Sequence, residues 1–137
     1  MIIDKSLIGT ISGTSTNPYS FTFQSTYITN CFLLNKEDDL WISLASAFYG
    51  NTSLYHLDLA ASEHVISYHQ MCYGCTGLSK VWVPKLAYNC YRAFRDCSFL
   101  SEFIIVNGTT FTATLSMVNM FRSCSCLSLD VSNWGIP

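Results

Sequence analysis

The chain has 137 residues, half of them hydrophobic and 12% charged, with a formal net charge of −2. That length suits one domain, and that composition excludes a disordered, solvated chain. Lys36, Lys80, Lys85, Arg92, Arg95 and Arg122 make no dense basic stripe in the sequence, which argues against nucleic acid, because its phosphates are held by clustered cations.

At the start, Asp4 and Lys5 stand where the apolar stretch of a secretory signal would run. No run approaches the roughly 18 apolar residues of a transmembrane helix. Three settings fit: an intracellular protein, export by another route, or a chain without its true start. Within residues 1–43, the alternation Tyr19-Ser20-Phe21-Thr22-Phe23 predicts a strand, as do the stretches 27–34 and 40–44. Residues 13–18, rich in Ser, Thr and Asn, read as a loop, and Lys36-Glu37-Asp38-Asp39 reads as a charged turn. The expectation for 1–43 is a β-rich N-terminal capping segment, because the end of a repeat array has to hide its open core.

From residue 44 one pattern returns four times: Ala47-Phe48-x-x-Asn51-x-x-Leu54, Met71-Cys72-x-x-Cys75-x-x-Leu78, Ala93-Phe94-x-x-Cys97-x-x-Leu100 and Met120-Phe121-x-x-Cys124-x-x-Leu127. Copies start 24, 22 and 27 residues apart, within the about 20–29-residue period of leucine-rich repeats. Each leucine opens an alternating segment, which predicts strands with Leu57, Leu59, Val81, Val83, Phe103, Ile105, Leu129 and Val131 facing the core. The apolar residues three or four places ahead of Asn51, Cys75, Cys97 and Cys124 predict a short helical turn before each strand. Those four small side chains are expected to form one buried column.

These runs resemble the AF-x-x-C-x-x-L core of BspA-like leucine-rich repeats, and Asn119-Met120-Phe121-x-x-Cys124 followed by Leu129-Asp130-x-Ser132-Asn133-Trp134 is similar to a surface-protein variant of it. The resemblance covers residues 44–137. It departs from the pattern in Cys72, which replaces Phe, in the uneven intervals and in a last strand one residue short. It implies an α/β leucine-rich-repeat solenoid of about four coils, each a short strand plus a short helix or turn. The array stops just past a strand, so it reads either as a fragment of a longer one or as an end covered by a partner or a second copy. The resemblance further implies a surface-exposed or secreted protein concerned with adhesion and protein binding, with no cofactor.

Seven cysteines, an odd number, argue against a complete disulfide framework. His64, His69, Cys72 and Cys75 offer a zinc-like ligand set, against which Cys75 is already explained by the repeat. His69 beside Cys72 lacks the orienting third group of a cysteine nucleophile, and His56 with Asp58 reads as surface decoration before acid–base machinery. Of two N-x-[S/T] sequons, Asn51 is expected to be buried and Asn107 lies in a loop. The outward positions of the strands hold Tyr55, His56, Asp58, Lys80, Trp82, Glu102, Ile104 and Asp130. Aromatic and charged groups on one extended face suit recognition of a protein or cell-surface ligand; the alternative for Trp82 is packing on a neighbouring loop. The expectation is a non-enzymatic binding or adhesion module. The rivals are a building block of a surface or viral fibre, self-associating through its C-terminal coil, and a small zinc-binding domain.

Overall fold

The structure, a computed structural model, describes residues 2–4, 19–20, 30–34, 42–62, 65–106 and 116–129. Its strands are β1 (Ile2–Asp4), β2 (Tyr19–Ser20), β3 (Asn30–Leu34), β4 (Ile42–Ser43), β5 (His56–Asp58), β6 (Val65–Ser67), β7 (Lys80–Val83) and β8 (Glu102–Ile105). They build two parallel sheets, ordered β1-β3-β5-β7-β8 and β2-β4-β6. Single bridges Ser67–Asn89 and Asn89–Ser116 extend the smaller sheet. Residues 1–43 thus supply four strands that pair, in parallel, within the same two sheets as the repeat.

The expected α/β solenoid is corrected by these elements: no helix occurs among the described residues, and the segments between the sheets are turns. We call residues 43–59, 67–83, 89–105 and 116–129 rungs 1 to 4. In rung 1 the N–H groups of Ala47, Tyr49 and Asn51 donate to the carbonyls of Leu44, Ser46 and Phe48, three residues back. The intervening N–H groups of Ser46, Phe48 and Gly50 donate forward to His69, Met71 and Tyr73 of rung 2 at 2.9, 2.9 and 2.8 Å. Gln70, Cys72 and Gly74 repeat this toward rung 3, and Arg92, Phe94 and Asp96 toward rung 4. An α-helix would spend every N–H within its own turn. Here half of them tie neighbouring rungs together.

Backbone handedness enforces that division. Ser46, Gln70, Arg92 and Asn119 have φ of 55, 50, 51 and 56°, and Gly50, Gly74, Asp96 and Ser123 have 68, 73, 62 and 63°. A left-handed residue every fourth position stops a right-handed helix from propagating. The side chains at 47, 48, 51 and 54 still point inward, because a run of four-residue turns returns to the same side about as often as a helix does. The sequence periodicity therefore fitted both structures.

The core lies between the sheets. Leu57, Leu59, Val81, Val83, Leu54, Leu78, Leu100, Met71, Ala93 and Phe94 are fully buried, and Phe103 nearly so. Ile105 and Leu129 are partly buried against this core, and Val131 lies outside the described residues. Phe94, Phe121 and Phe103 pack ring on ring, with centroids 5.7 Å apart for the stacked Phe94–Phe121 pair.

At Gly77 the rungs leave no room for a side chain: an added Cβ would lie 2.5 Å from the Thr52 carbonyl oxygen. At the same place rungs 1, 3 and 4 carry Ser53, Phe99 and Cys126, so the constraint is local to rung 2. Gly77→Ala is expected to cost about 2 kcal/mol or more, because backbone must move. Gly50→Ala, left-handed but with open space around it, is expected to cost only about 1 kcal/mol. Urea unfolding of both variants checks the order.

Candidate functional site

Parallel register fixes what the larger sheet displays. His56 is opposite Lys80, and Lys80 is opposite Glu102; Asp58 is opposite Trp82, and Trp82 is opposite Ile104. Between these outward columns run the inward residues Leu57, Val81 and Phe103, whose burial fixes which face the others take. Seven of the eight residues predicted for a binding face therefore share one side of β5, β7 and β8 or its border. The eighth, Asp130, lies outside the described residues.

Trp82 is held at the centre. Its indole Nε1–H donates to Glu102 Oε2 at 2.8 Å. The His56 ring meets it edge-on, with centroids 4.7 Å apart. Both contacts are made within the sheet, so Trp82 is fixed by its own strand neighbours, and part of its surface stays accessible. Tyr55 and Ile104 are 51% and 42% exposed and flank it. Asp58 is half spent: its Oδ1 accepts the N–H of Ala60 at 2.9 Å, closing the turn that ends β5. His56 Nε2 is buried without a hydrogen-bond partner, and no hydrogen bond joins His56 to Asp58 among the described residues.

The predicted column of small side chains is built from thiols. Cys75, Cys97 and Cys124 each donate from Sγ to a carbonyl of the preceding rung, namely Phe48, Cys72 and Phe94, at 2.9, 3.0 and 3.0 Å. Asn51, at the same place in rung 1, is buried, and its Oδ1 accepts the N–H of Ser53 at 3.2 Å. The chemistry of these groups follows from burial. It drives the Cys97 thiol far above its ordinary range and pushes Cys90 up to about 12 and Cys124 up to about 11. Such thiols carry almost no thiolate at neutral pH and make poor nucleophiles and metal ligands.

Among the described residues no group of three His, Cys, Asp or Glu is gathered as a metal site. Cys72 and Cys75 are in the core, His69 stacks on Tyr91 with centroids 5.2 Å apart, and His64 lies outside the described residues.

The sequence reading missed a second register. Ser43, Ser67 and Asn89 occupy equivalent places in the smaller sheet, and their side-chain oxygens accept the N–H groups of Ala45, His69 and Tyr91 at 3.2, 3.1 and 3.0 Å. These residues cap the turns as short polar side chains do. Their intervals, 24 and 22 residues, equal those of the apolar pattern, which is the signal that would have found them.

Comparison with protein-family models, with curated proteins and with solved structures found no match. No helix among the described residues is long and apolar enough to cross a membrane.

Two outcomes follow from the thiols. In the folded chain near pH 8, exposed Cys126 is expected to react with a thiol reagent at least about a hundredfold faster than Cys90 or Cys97, read by peptide mapping. A thiol raised in the fold favours the protonated, native form. Its stabilisation is complete below the ordinary value of 9.0 and is lost as pH climbs toward about 12 for Cys90. Urea midpoints should therefore fall steadily above pH 9.

Proposed function

We propose that the protein is a non-catalytic binding module that recognises a protein or cell-surface ligand on the outer face of β5, β7 and β8. The observation that carries this reading is Trp82, clamped by Glu102 and His56 at the middle of an array of charged and aromatic groups. An aromatic anchor whose rotamer is already fixed loses little entropy on binding. Lys80, Tyr55 and Ile104 around it supply charge and apolar area. The resemblance of the repeated runs to those of BspA-like surface proteins supports an adhesive role by analogy.

A second reading, self-association through the C-terminal coil as a stacking unit, is favoured by rung 4. There Phe121, Cys124, Leu127 and Leu129 are only partly buried.

The test replaces Tyr55 and Lys80 together by Ala, leaving the Trp82 clamp and the core untouched. The doubly substituted chain should keep its melting temperature and lose about tenfold or more in affinity for ligands captured by the immobilised parent. Retention of the same ligands at equal affinity removes this face from consideration. If sedimentation shows the parent assembling as concentration rises, the stacking reading takes precedence.

A further inference from the structure

Three of the seven cationic side chains, counting lysine and arginine together, are Arg92, Arg95 and Arg122. Thirty residues separate the first from the last, yet the turn register places them on adjacent rungs. Phe94 N–H donates to Met120 O at 2.9 Å and Asp96 N–H to Arg122 O at 2.8 Å. Those two bonds bracket Arg95 and set it beside Arg122, one parallel spacing away, about 4.8 Å from backbone to backbone. Arg92 N–H donates to Val118 O in the same run of turns.

Arg95 and Arg122 hold equivalent places on neighbouring rungs, and the charge of Arg95 is only partly compensated. Asp96 lies 3.6 Å from Arg95 Nε, too far for a hydrogen bond. The Nε atoms of both Arg92 and Arg95 are buried without an acceptor. Their planes are nevertheless fixed. The Arg95 guanidinium lies over the Tyr73 ring at 5.3 Å, and Tyr73 stacks on Tyr49 at 5.0 Å. Arg92 lies over Tyr91 at 4.7 Å, and Tyr91 stacks on His69. Arg122 is exposed. The result is a flank on which Arg92 and Arg95 are oriented, each with an unpaired Nε, and Arg122 stands exposed on the next rung.

We propose that this turn flank binds a tetrahedral oxyanion, a phosphate or sulfate group carried on a larger ligand, held chiefly between Arg95 and Arg122. Guanidinium forks match such groups in shape and charge and give up less hydration than ammonium groups. The stacked tyrosines pre-set the Arg95 plane, so the site is formed before the ligand arrives. The flank is separate from the Trp82 face, and either can hold without the other.

The experiment titrates the full 137-residue chain with inorganic phosphate and, separately, inorganic sulfate. Ionic strength is held constant with chloride, and backbone amide shifts are followed. Saturable shifts at Arg95, Asp96, Arg122 and Ser123 are expected. Arg122→Gln, at an exposed position, should weaken binding several-fold with an unchanged amide spectrum elsewhere. Arg95→Gln combined with Arg122→Gln should weaken it by about tenfold or more. Lys85→Gln, off the flank, should leave it unaltered. Tighter binding of phosphate assigns the natural group to phosphate esters, and tighter binding of sulfate to sulfate esters. Shifts that never saturate, or equal affinity in parent and Arg122→Gln, overturn the proposal.

Discussion

Half of the backbone N–H groups in the turns of rungs 1 to 3 reach forward to the carbonyls of the next rung, and the remaining structure is arranged around that transfer. It needs alternate residues whose N–H groups are free of local bonds. The left-handed residues provide them at positions 46, 70, 92 and 119 and again at 50, 74, 96 and 123. Only two of those eight are glycine. A side chain in this conformation costs about 1 kcal/mol, and the inter-rung bonds made by Gln70, Arg92 and Asp96 offset that cost. The thiol column adds one more tie between each pair of adjacent rungs. Cysteine suits it because a small sulfhydryl can sit in an apolar interior and still donate to a carbonyl.

Once the rungs are tied in this way, identical positions stack. Columns of like side chains follow along the axis: Phe94 on Phe121 inside, Tyr49 on Tyr73 and Arg95 outside, His69 on Tyr91 at the smaller sheet. The same register sets His56, Lys80 and Glu102 in one line and Asp58, Trp82 and Ile104 in another. Both proposed surfaces are consequences of register.

The repeat, its period, the inward residues of β5, β7 and β8 and the column of Asn51, Cys75, Cys97 and Cys124 were all legible in the sequence, because burial leaves its mark at fixed intervals. The state of the segments before the strands was not. Ala47, Phe48, Asn51 and Leu54 recur with a spacing common to a helix and to a train of turns, and hydrophobic periodicity cannot separate the two. The distinguishing residues were Gly50 and Gly74, with Asp96 at the matching place in rung 3 and Asn119 at the earlier left-handed place in rung 4, residue types that tolerate the left-handed region. Gln70 and Arg92 masked that signal, since neither type predicts it. The arginine flank does not show in charge counted along the chain, because Arg95 and Arg122 come onto adjacent rungs only through the repeat register.

Amide hydrogen exchange, resolved residue by residue on the folded chain, tests the turn architecture most directly. Strong protection is predicted at Ser46, Phe48, Gly50, Gln70, Cys72, Gly74, Arg92, Phe94 and Asp96, whose N–H groups donate to carbonyls of the next rung. Carbonyl couplings across hydrogen bonds should link Phe48 to Met71 and Phe94 to Met120. Couplings to residues four places back, as in a helix, would contradict the account.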